Sequence, residues 1–299
     1  MYDIIIIGGG MAGLTAALYA QRSEKKVLII ERETIGGQIA NSPRVENYPT
    51  IDAISGSELA NRLFEQVMSH GADFELENVL SVEKKGEQHF LVTTDYATHE
   101  GKSIILATGV KHRTLGLPRE EELAGAGVSY CAVCDGPFFK GEEVGVVGGG
   151  NSALQYAISL AGYCTRVHVL ILGEKFTGDE ALVHALQRLD NVVVHRHVRT
   201  TALLGEDSLS GVRLATPDGE QELPLKGLFV AIGQVPDNAP FAPLAGLDKA
   251  GYFEADESCY TQTPGVYVAG DCRTKRVRQL TTAAADGATA ALAAIHYVA

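Results

Sequence analysis

Two cysteines and an acid stand together in Ser129-Tyr130-Cys131-Ala132-Val133-Cys134-Asp135-Gly136. Glycine loops of the kind that hold dinucleotides lie far upstream, from Gly8 to Gly13, and close downstream, from Gly148 to Gly150. A dithiol between two nucleotide-binding units suggests electron transfer through a disulfide. A Cys-x-x-Cys is also half of a common zinc site, but no second half stands at metal spacing. Cys164, Cys259 and Cys272 read as small buried residues. None of the nine histidines has a metal-like or triad-like setting.

The elements that must position this chemistry begin at the N-terminus. Residues 3–7 are apolar and β-branched, the pattern of a parallel strand buried on both faces. Gly8-Gly9-Gly10-Met11-Ala12-Gly13 follows, and the pattern from Leu14 to Ala20 predicts a helix. In this strand–loop–helix context Gly8 permits the tight turn and Gly10 admits a pyrophosphate close to the backbone. Gly13 lets helix and strand pack closely. The next strand, Val27 to Ile30, runs into Glu31, where an acid is expected to bond a ribose hydroxyl pair. The adjacent glycines of Ile35-Gly36-Gly37-Gln38 would let backbone pass against a flat ligand. An amphipathic helix is expected over 56–70 and antiparallel strands over 74–99, with a turn at Lys85-Gly86. Ile104-Ile105-Leu106-Ala107-Thr108-Gly109 reads as another buried strand ending in glycine.

The pattern then repeats. Glu143 to Val147 predicts a strand, Gly148-Gly149-Gly150-Asn151-Ser152-Ala153 a second loop, and a helix runs to about Gly162. Its second strand, Arg166 to Ile171, ends in Leu172-Gly173-Glu174-Lys175-Phe176-Thr177. Short strands fill 192–232, with turns expected at Gly205, Gly211 and Pro217-Asp218-Gly219. Val266 to Asp271 reads as a last buried strand ending in an acid, and Asp286 to Tyr297 as an alanine-rich helix. The segments 111–118 and 236–243 read as crossovers. A boundary is expected near each crossover, giving segments 1–113, 114–243 and 244–299, the middle one carrying the cysteine pair.

Whole-chain properties narrow the function classes. A length of 299 residues suits two cores better than one. A formal charge of −12 argues against nucleic acid, which needs a cationic surface. No apolar run approaches bilayer length, so no membrane partner is expected. The start Tyr2-Asp3-Ile4 has no basic region or cleavage pattern, and five cysteines form no framework. A reducing, cytoplasmic setting is the expectation. One local exception to the acidic balance is Arg273, Lys275, Arg276 and Arg278.

In these motifs, taken in order, the chain resembles the low-molecular-weight thioredoxin reductases. The carriers are the first glycine loop, Gly36-Gly37-Gln38, Glu46-Asn47, Ala107-Thr108-Gly109, Cys131 to Asp135, Gly148 to Ala153, Ala231-Ile232-Gly233, and Gly270-Asp271 with Arg278-Gln279. The resemblance implies an α/β fold of two Rossmann-like, three-layer ββα dinucleotide-binding domains, the second inserted into the first. The Gly270-Asp271 strand then returns to the first sheet. It implies FAD on the outer domain. Gly8, Gly10, Gly13 and Glu31 would lie on its adenosine and pyrophosphate side, and Gln38, Asn47, Asp271, Arg278 and Gln279 along the ribityl chain and ring. Met11, Ala12, Arg32, Gly37, Thr108, Gly109, Gly270 and Leu280 complete the expected cofactor-binding residues. By the same resemblance Cys134 faces the flavin, Cys131 attacks the disulfide of a thioredoxin-like protein, and Asp135 is the acid/base partner. The inserted domain is expected to swing, and the enzyme to be a homodimer.

Two departures stand out. Met11 occupies a position where proline is common in the family. More consequentially, members that use NADPH carry a histidine and arginines after the inserted domain's second strand, to neutralise the 2′-phosphate. Here Ile171, Leu172, Gly173 and Thr177 stand there, with Lys175 beside Glu174. Reduced ferredoxin, an acidic donor used by a branch of the same fold, is therefore the expected electron source, with the 273–278 cations near the flavin as its docking patch. NADH or NADPH at an atypical site is the alternative, and a flavin redox sensor without turnover is the alternative from another class.

Overall fold

In the structure, a computed structural model, all residues are described except Pro43 and the side chain of Asn41. The run Ile4-Ile5-Ile6-Ile7 sets the architecture. Ile4 and Ile6 pack with Leu14, Ala16, Ala17 and Ala290 of the flanking helices. Ile5 and Ile7 pack on the opposite face with Phe90, Val92, Phe241 and Phe253. A strand covered on both sides cannot alternate polar with apolar, which is why this segment reads as continuous hydrophobe. Each buried isoleucine contributes about 2 kcal/mol of transfer free energy.

The first unit comprises Met1–Lys111 and Val235–Ala299. Its sheet runs, in spatial order, Asp73–Leu76, Val27–Glu31, Tyr2–Ile7, Thr98–Leu106, His89–Thr94 and Val79–Gly86, with Val266–Val268 also joined to Thr98–Leu106. The first four strands are parallel, and His89–Thr94 and Val79–Gly86 continue antiparallel. The long strand Thr98–Leu106 serves both regions. Its early residues pair antiparallel with Phe90–Thr93, and Ile104–Leu106 pair parallel with Val266–Val268. The helices Met11–Arg22 and Leu280–Tyr297 cover one face, and the antiparallel ribbon covers the other. This is the ββα layering of a dinucleotide domain.

The second unit is His112–Gln234. Five parallel strands lie in the order Val192–His195, Arg166–Leu170, Glu143–Val147, Gly227–Val230, Val128–Ser129. The antiparallel strands Arg199–Leu204, Gly211–Thr216 and Gly219–Pro224 form a separate ribbon.

Several boundaries differ from the sequence expectation. The return to the first unit falls at Gln234/Val235, ahead of the expected residue 243. Asn238, Phe241 and Leu244 explain this. Asn238 donates to the carbonyls of Gly251 and Cys272, and the two apolar residues enter the core with Ile5 and Ile7. The hairpin turn lies two residues late, at Glu87-Gln88, because Gly86 still pairs with His89. Gly211 opens a strand instead of a turn. The last helix begins at Leu280, since Gln279 and Thr282 form a reciprocal capping box that its composition hides.

The 273–278 cations are a further correction. Arg273 has no exposed surface, and its guanidinium bonds both oxygens of Asp286 at 2.8 Å. It also reaches Glu257 at 2.8 Å, and Lys275 reaches Asp286 at 3.0 Å. These cations fasten the chain after Val268 to the C-terminal helix. Burial alone would raise the Asp286 carboxyl, but the Arg273 and Lys275 charges outweigh it and hold it below the ordinary carboxylate range. The pair's contribution is therefore present above the unfolded aspartate pKa and is lost as pH falls through the lower folded value. Arg273→Met is expected to lower stability by roughly 3 kcal/mol at neutral pH. Denaturant unfolding should show the deficit shrinking in acid, and an unchanged midpoint would remove the pair from the account.

Candidate active site

The first glycine loop is shaped by backbone that leaves no room for side chains. Gly8 has φ +113°, and a Cβ there would overlap the Ala107 carbonyl oxygen. A Cβ on Gly13 would overlap the Gly8 carbonyl, whereas Gly10 meets nothing nearer than the Gly36 oxygen at 3.7 Å. That opening above the N-terminus of Met11–Arg22 is the one a pyrophosphate requires. Gly36 closes the loop's other side by donating its N–H to Gly9 at 2.8 Å. Glu31 is fixed beside it. Its Oε2 accepts from Gly9 N–H at 2.7 Å, and its Oε1 from the N–H groups of Arg32 and Glu33 at 2.9 and 2.8 Å.

Distant parts of the chain meet this loop. Ala12 lies against Gly270, where an added Cβ would approach to 2.9 Å. Met11 is buried in the same turn. Thr108 donates to Asn238 at 2.7 Å, and Gly109 takes φ +65° with open space over it. Asn47 donates to Gln279 at 3.1 Å across 232 residues of sequence. Arg278 bonds the Asp271 carbonyl at 3.2 Å and lies over the Tyr252 ring. Leu280 opens the last helix. Gly37 takes φ +55°, and Gln38 is exposed. Arg32 instead turns to Asp237, at 2.5 Å, and to Glu33.

Asp271 tests whether these residues fit FAD. Its Oδ1 is buried with no hydrogen-bond partner among the described residues. Burial pushes its carboxyl up to about 6, against the pull of the Lys275 and Arg278 charges. A buried acceptor left open next to a glycine cradle fits a ligand with hydroxyls to donate, as the sugar chain of FAD has.

In the second unit Cys131 and Cys134 form a disulfide on the short helix Ala132–Asp135. The Cys134 N–H points at Cys131 Sγ, 3.2 Å away. Asp135 Oδ2 accepts from Ser129 at 2.6 Å, while its Oδ1 is buried without a partner among the described residues. Burial raises the Asp135 carboxyl above the ordinary range, and the Ser129 bond opposes this only in part. The turn is braced from outside. Tyr130 donates to Glu120 at 2.9 Å and stacks on His112. Tyr156 donates to the Tyr130 carbonyl at 3.1 Å. Glu120 is itself held by the N–H groups of Leu115 and Leu117. Ser129, Tyr130 and Asn238 escape sequence reasoning because their types are common, and only the fold reveals their partners. The other cysteines are buried, and burial pushes Cys164 and Cys259 up to about 11 and 12, far from thiolate chemistry.

The second glycine loop repeats the first in its backbone. A Cβ on Gly148, at φ +135°, would overlap the Ala231 carbonyl oxygen. Thr177 and Gly178 donate to the Gly149 carbonyl at 2.8 and 3.1 Å, as Gly36 does to Gly9.

Asp271→Ala is expected to weaken cofactor retention by about tenfold to a hundredfold, the scale of one charge-assisted bond. The flavin-to-protein absorbance ratio after dialysis measures it, and full flavin content would remove Asp271 from the binding site.

A family model described as pyridine nucleotide-disulphide oxidoreductase matches residues 2–287. The chain is 38% identical to the thioredoxin reductase of Mycoplasma genitalium, over 98% of this chain and 94% of that one. It is 38% identical to the thioredoxin reductase of Bacillus subtilis, over 100% and 95% respectively. Among solved structures, thioredoxin reductase from Streptococcus pyogenes superposes with a TM-score of 0.95 at 38% identity, covering 99% of this chain and 98% of that one. No helix among the described residues is long and apolar enough to cross a membrane. The chain belongs to the pyridine nucleotide-disulphide oxidoreductase family and, within it, to the low-molecular-weight thioredoxin reductases, FAD-dependent enzymes that reduce disulfides.

Proposed function

We propose that this chain reduces the disulfide of thioredoxin or a thioredoxin-like protein through Cys131 and Cys134, and that a nicotinamide nucleotide on the second glycine loop is the donor. The disulfide turn beside a buried acid carries the first part. In the reduced pair, the Cys134 N–H supports a thiolate on Cys131. That thiolate attacks one sulfur of the partner's disulfide, whose S–S bond breaks as a mixed disulfide forms. Asp135, whose carboxyl burial shifts toward its protonated form, supplies a proton to the departing thiolate. Cys134 then attacks Cys131 Sγ and releases the second partner thiol. The pair ends as the Cys131–Cys134 disulfide, and two electrons have passed to the partner. FAD, when bound, supplies the two electrons that reopen this disulfide. Gly8, Gly10, Gly13 and Glu31 would hold its adenosine and pyrophosphate, and Asn47, Asp271, Arg278 and Gln279 the remainder.

The donor reading rests on the second cradle, whose backbone matches the first. The ferredoxin reading keeps one observation in its favour, the missing arginines after Arg166–Leu170. Its docking patch is weakened, because Arg273 and Lys275 are spent on Asp286 and Arg276 alone of the four cations is exposed.

Cys131→Ser and Cys134→Ser are each expected to abolish thioredoxin reduction with flavin retained, and turnover by either variant would reject the dithiol relay. Anaerobic addition of NADPH or NADH is expected to bleach the flavin at micromolar concentrations. Bleaching by reduced ferredoxin alone would reverse the choice of donor. Removing the Ser129 hydroxyl takes away a bond that stabilises the ionised Asp135, so Ser129→Ala should move the alkaline limb of the pH–rate profile to higher pH. Asp135→Asn should erase that limb.

A further inference from the structure

The helix Asn151–Ala161 lays a stripe of side chains along the cysteine turn. Tyr156 donates to the Tyr130 carbonyl at 3.1 Å. Leu160, one helical turn on, and Tyr163, just past the helix end, meet Gly136. A Cβ there would overlap the Tyr163 hydroxyl and stand 3.1 Å from Leu160. Ala132, between these points, packs in one core cluster with Tyr156. Asp135 lies beside the same stripe, and its charge is felt there. Burial first, and then the Asp135 charge, hold the Tyr156 phenol above its ordinary range. Tyr156 therefore keeps its proton at neutral pH and remains a hydrogen-bond donor.

Asp135 needs such a donor whenever it is ionised. An ionised carboxylate accepts at both oxygens, yet Oδ1 is buried with no hydrogen-bond partner among the described residues. The nearer donors are committed. Ser129 has one hydroxyl proton and gives it to Oδ2 at 2.6 Å, while its oxygen accepts from the Cys131 N–H at 3.1 Å. The Cys134 N–H serves Cys131 Sγ at 3.2 Å, and the Asp135 N–H serves the Cys131 carbonyl at 3.0 Å. The Tyr163 hydroxyl is engaged by Ser159. Glu120 and His112 contact the Tyr130 side chain. The Tyr156 hydroxyl is left, and its acceptor is a neutral carbonyl. A charge-assisted hydrogen bond is roughly twice as strong as a neutral one, so an ionised Asp135 outcompetes that carbonyl for the donor.

We propose that Tyr156 is a further positioning residue for disulfide reduction: once Asp135 has given its proton to the departing thiolate, the Tyr156 hydroxyl turns about its C–O bond from the Tyr130 carbonyl to Asp135 Oδ1 and holds the carboxylate until it is reprotonated. The inference rests on the dithiol reading above and adds a residue to it. The phenol keeps its proton throughout. One hydrogen bond is exchanged for another, and the only proton transferred is the one that passes from Asp135 to sulfur. Tyr156 thus sets how readily Asp135 gives up its proton, and with it the pH at which the acid is exhausted.

The test uses the FAD-loaded enzyme, reduced beforehand with dithionite and mixed with oxidised thioredoxin, so that the electron donor does not enter. The rate of thioredoxin reduction is followed against pH. The acid must be protonated, so the rate falls as pH rises through its pKa. Tyr156→Phe keeps the ring and removes the donor. Asp135 then ionises less readily, and the alkaline limb is expected about one pH unit higher. 3-Fluorotyrosine at position 156 is a stronger donor of nearly the same shape and should move the limb to lower pH. A tyrosine that only braces the Tyr130 carbonyl would change the rate equally at every pH, so a limb unmoved in Tyr156→Phe overturns the proposal. Unfolding curves check the fold, and should the phenylalanine variant fail to fold, an unmoved limb in the fluorotyrosine variant overturns it. Thioredoxin reduction that survives Cys131→Ser rejects the dithiol relay itself. An alkaline limb that survives Asp135→Asn rejects Asp135 as the acid, and the role of Tyr156 with it.

Discussion

The approach of one backbone to another organises both units. Where a parallel strand ends, a neighbouring strand's carbonyl occupies the space a side chain would need. Ala107 does this to Gly8 and Ala231 does it to Gly148. The same register recurs in the ladder: Ala107 N–H donates to Ile7 and Ala231 N–H to Val147, each at 2.8 Å. Glycine is required at these two points because a positive φ and the absence of Cβ are needed together. Once the turn is made, the following helix must start with its N–H groups facing the gap, and the cradle follows. The two backbones are duplicates, and their neighbours differ.

What distinguishes the two cradles is electrostatic. The first is closed by an acid fixed through three N–H groups, and its Ala12 packs against Gly270, next to the orphaned Asp271. The second has isoleucine at the equivalent contact and basic residues farther out. A buried carboxylate without a partner is costly, so Asp271 stays open only because the fold around it is overdetermined by the Arg273–Asp286 pair and the capped last helix. Paired charge and unpaired charge thus lie within a few residues of each other, and hydrogen bonding tells them apart.

Much of this was legible from sequence because it rests on local rules. The glycine loops, the buried strand at residues 3–7, the cysteine pair and the ββα class follow from spacing and hydrophobic pattern. The misread features are those whose meaning is set by distant contacts. Arg273 and Lys275 look like a surface patch until Asp286 arrives from the last helix. Asn238 looks like crossover chain until it bonds Gly251 and Cys272. The start of the last helix was hidden because glutamine is a weak capping signal unless its threonine partner is seen.

The bracing of the cysteine turn has a consequence for the lifetime of its intermediate. Tyr130 is anchored to Glu120 and His112, its carbonyl to Tyr156, and Ser129 to Asp135. None of these contacts involves sulfur, so opening the disulfide leaves the segment's anchors in place. The two thiols then remain neighbours, and the effective concentration of Cys134 at Cys131 stays high. A mixed disulfide with a partner protein would be resolved from within before small thiols in solution could compete for it, so the turn commits each encounter to completion.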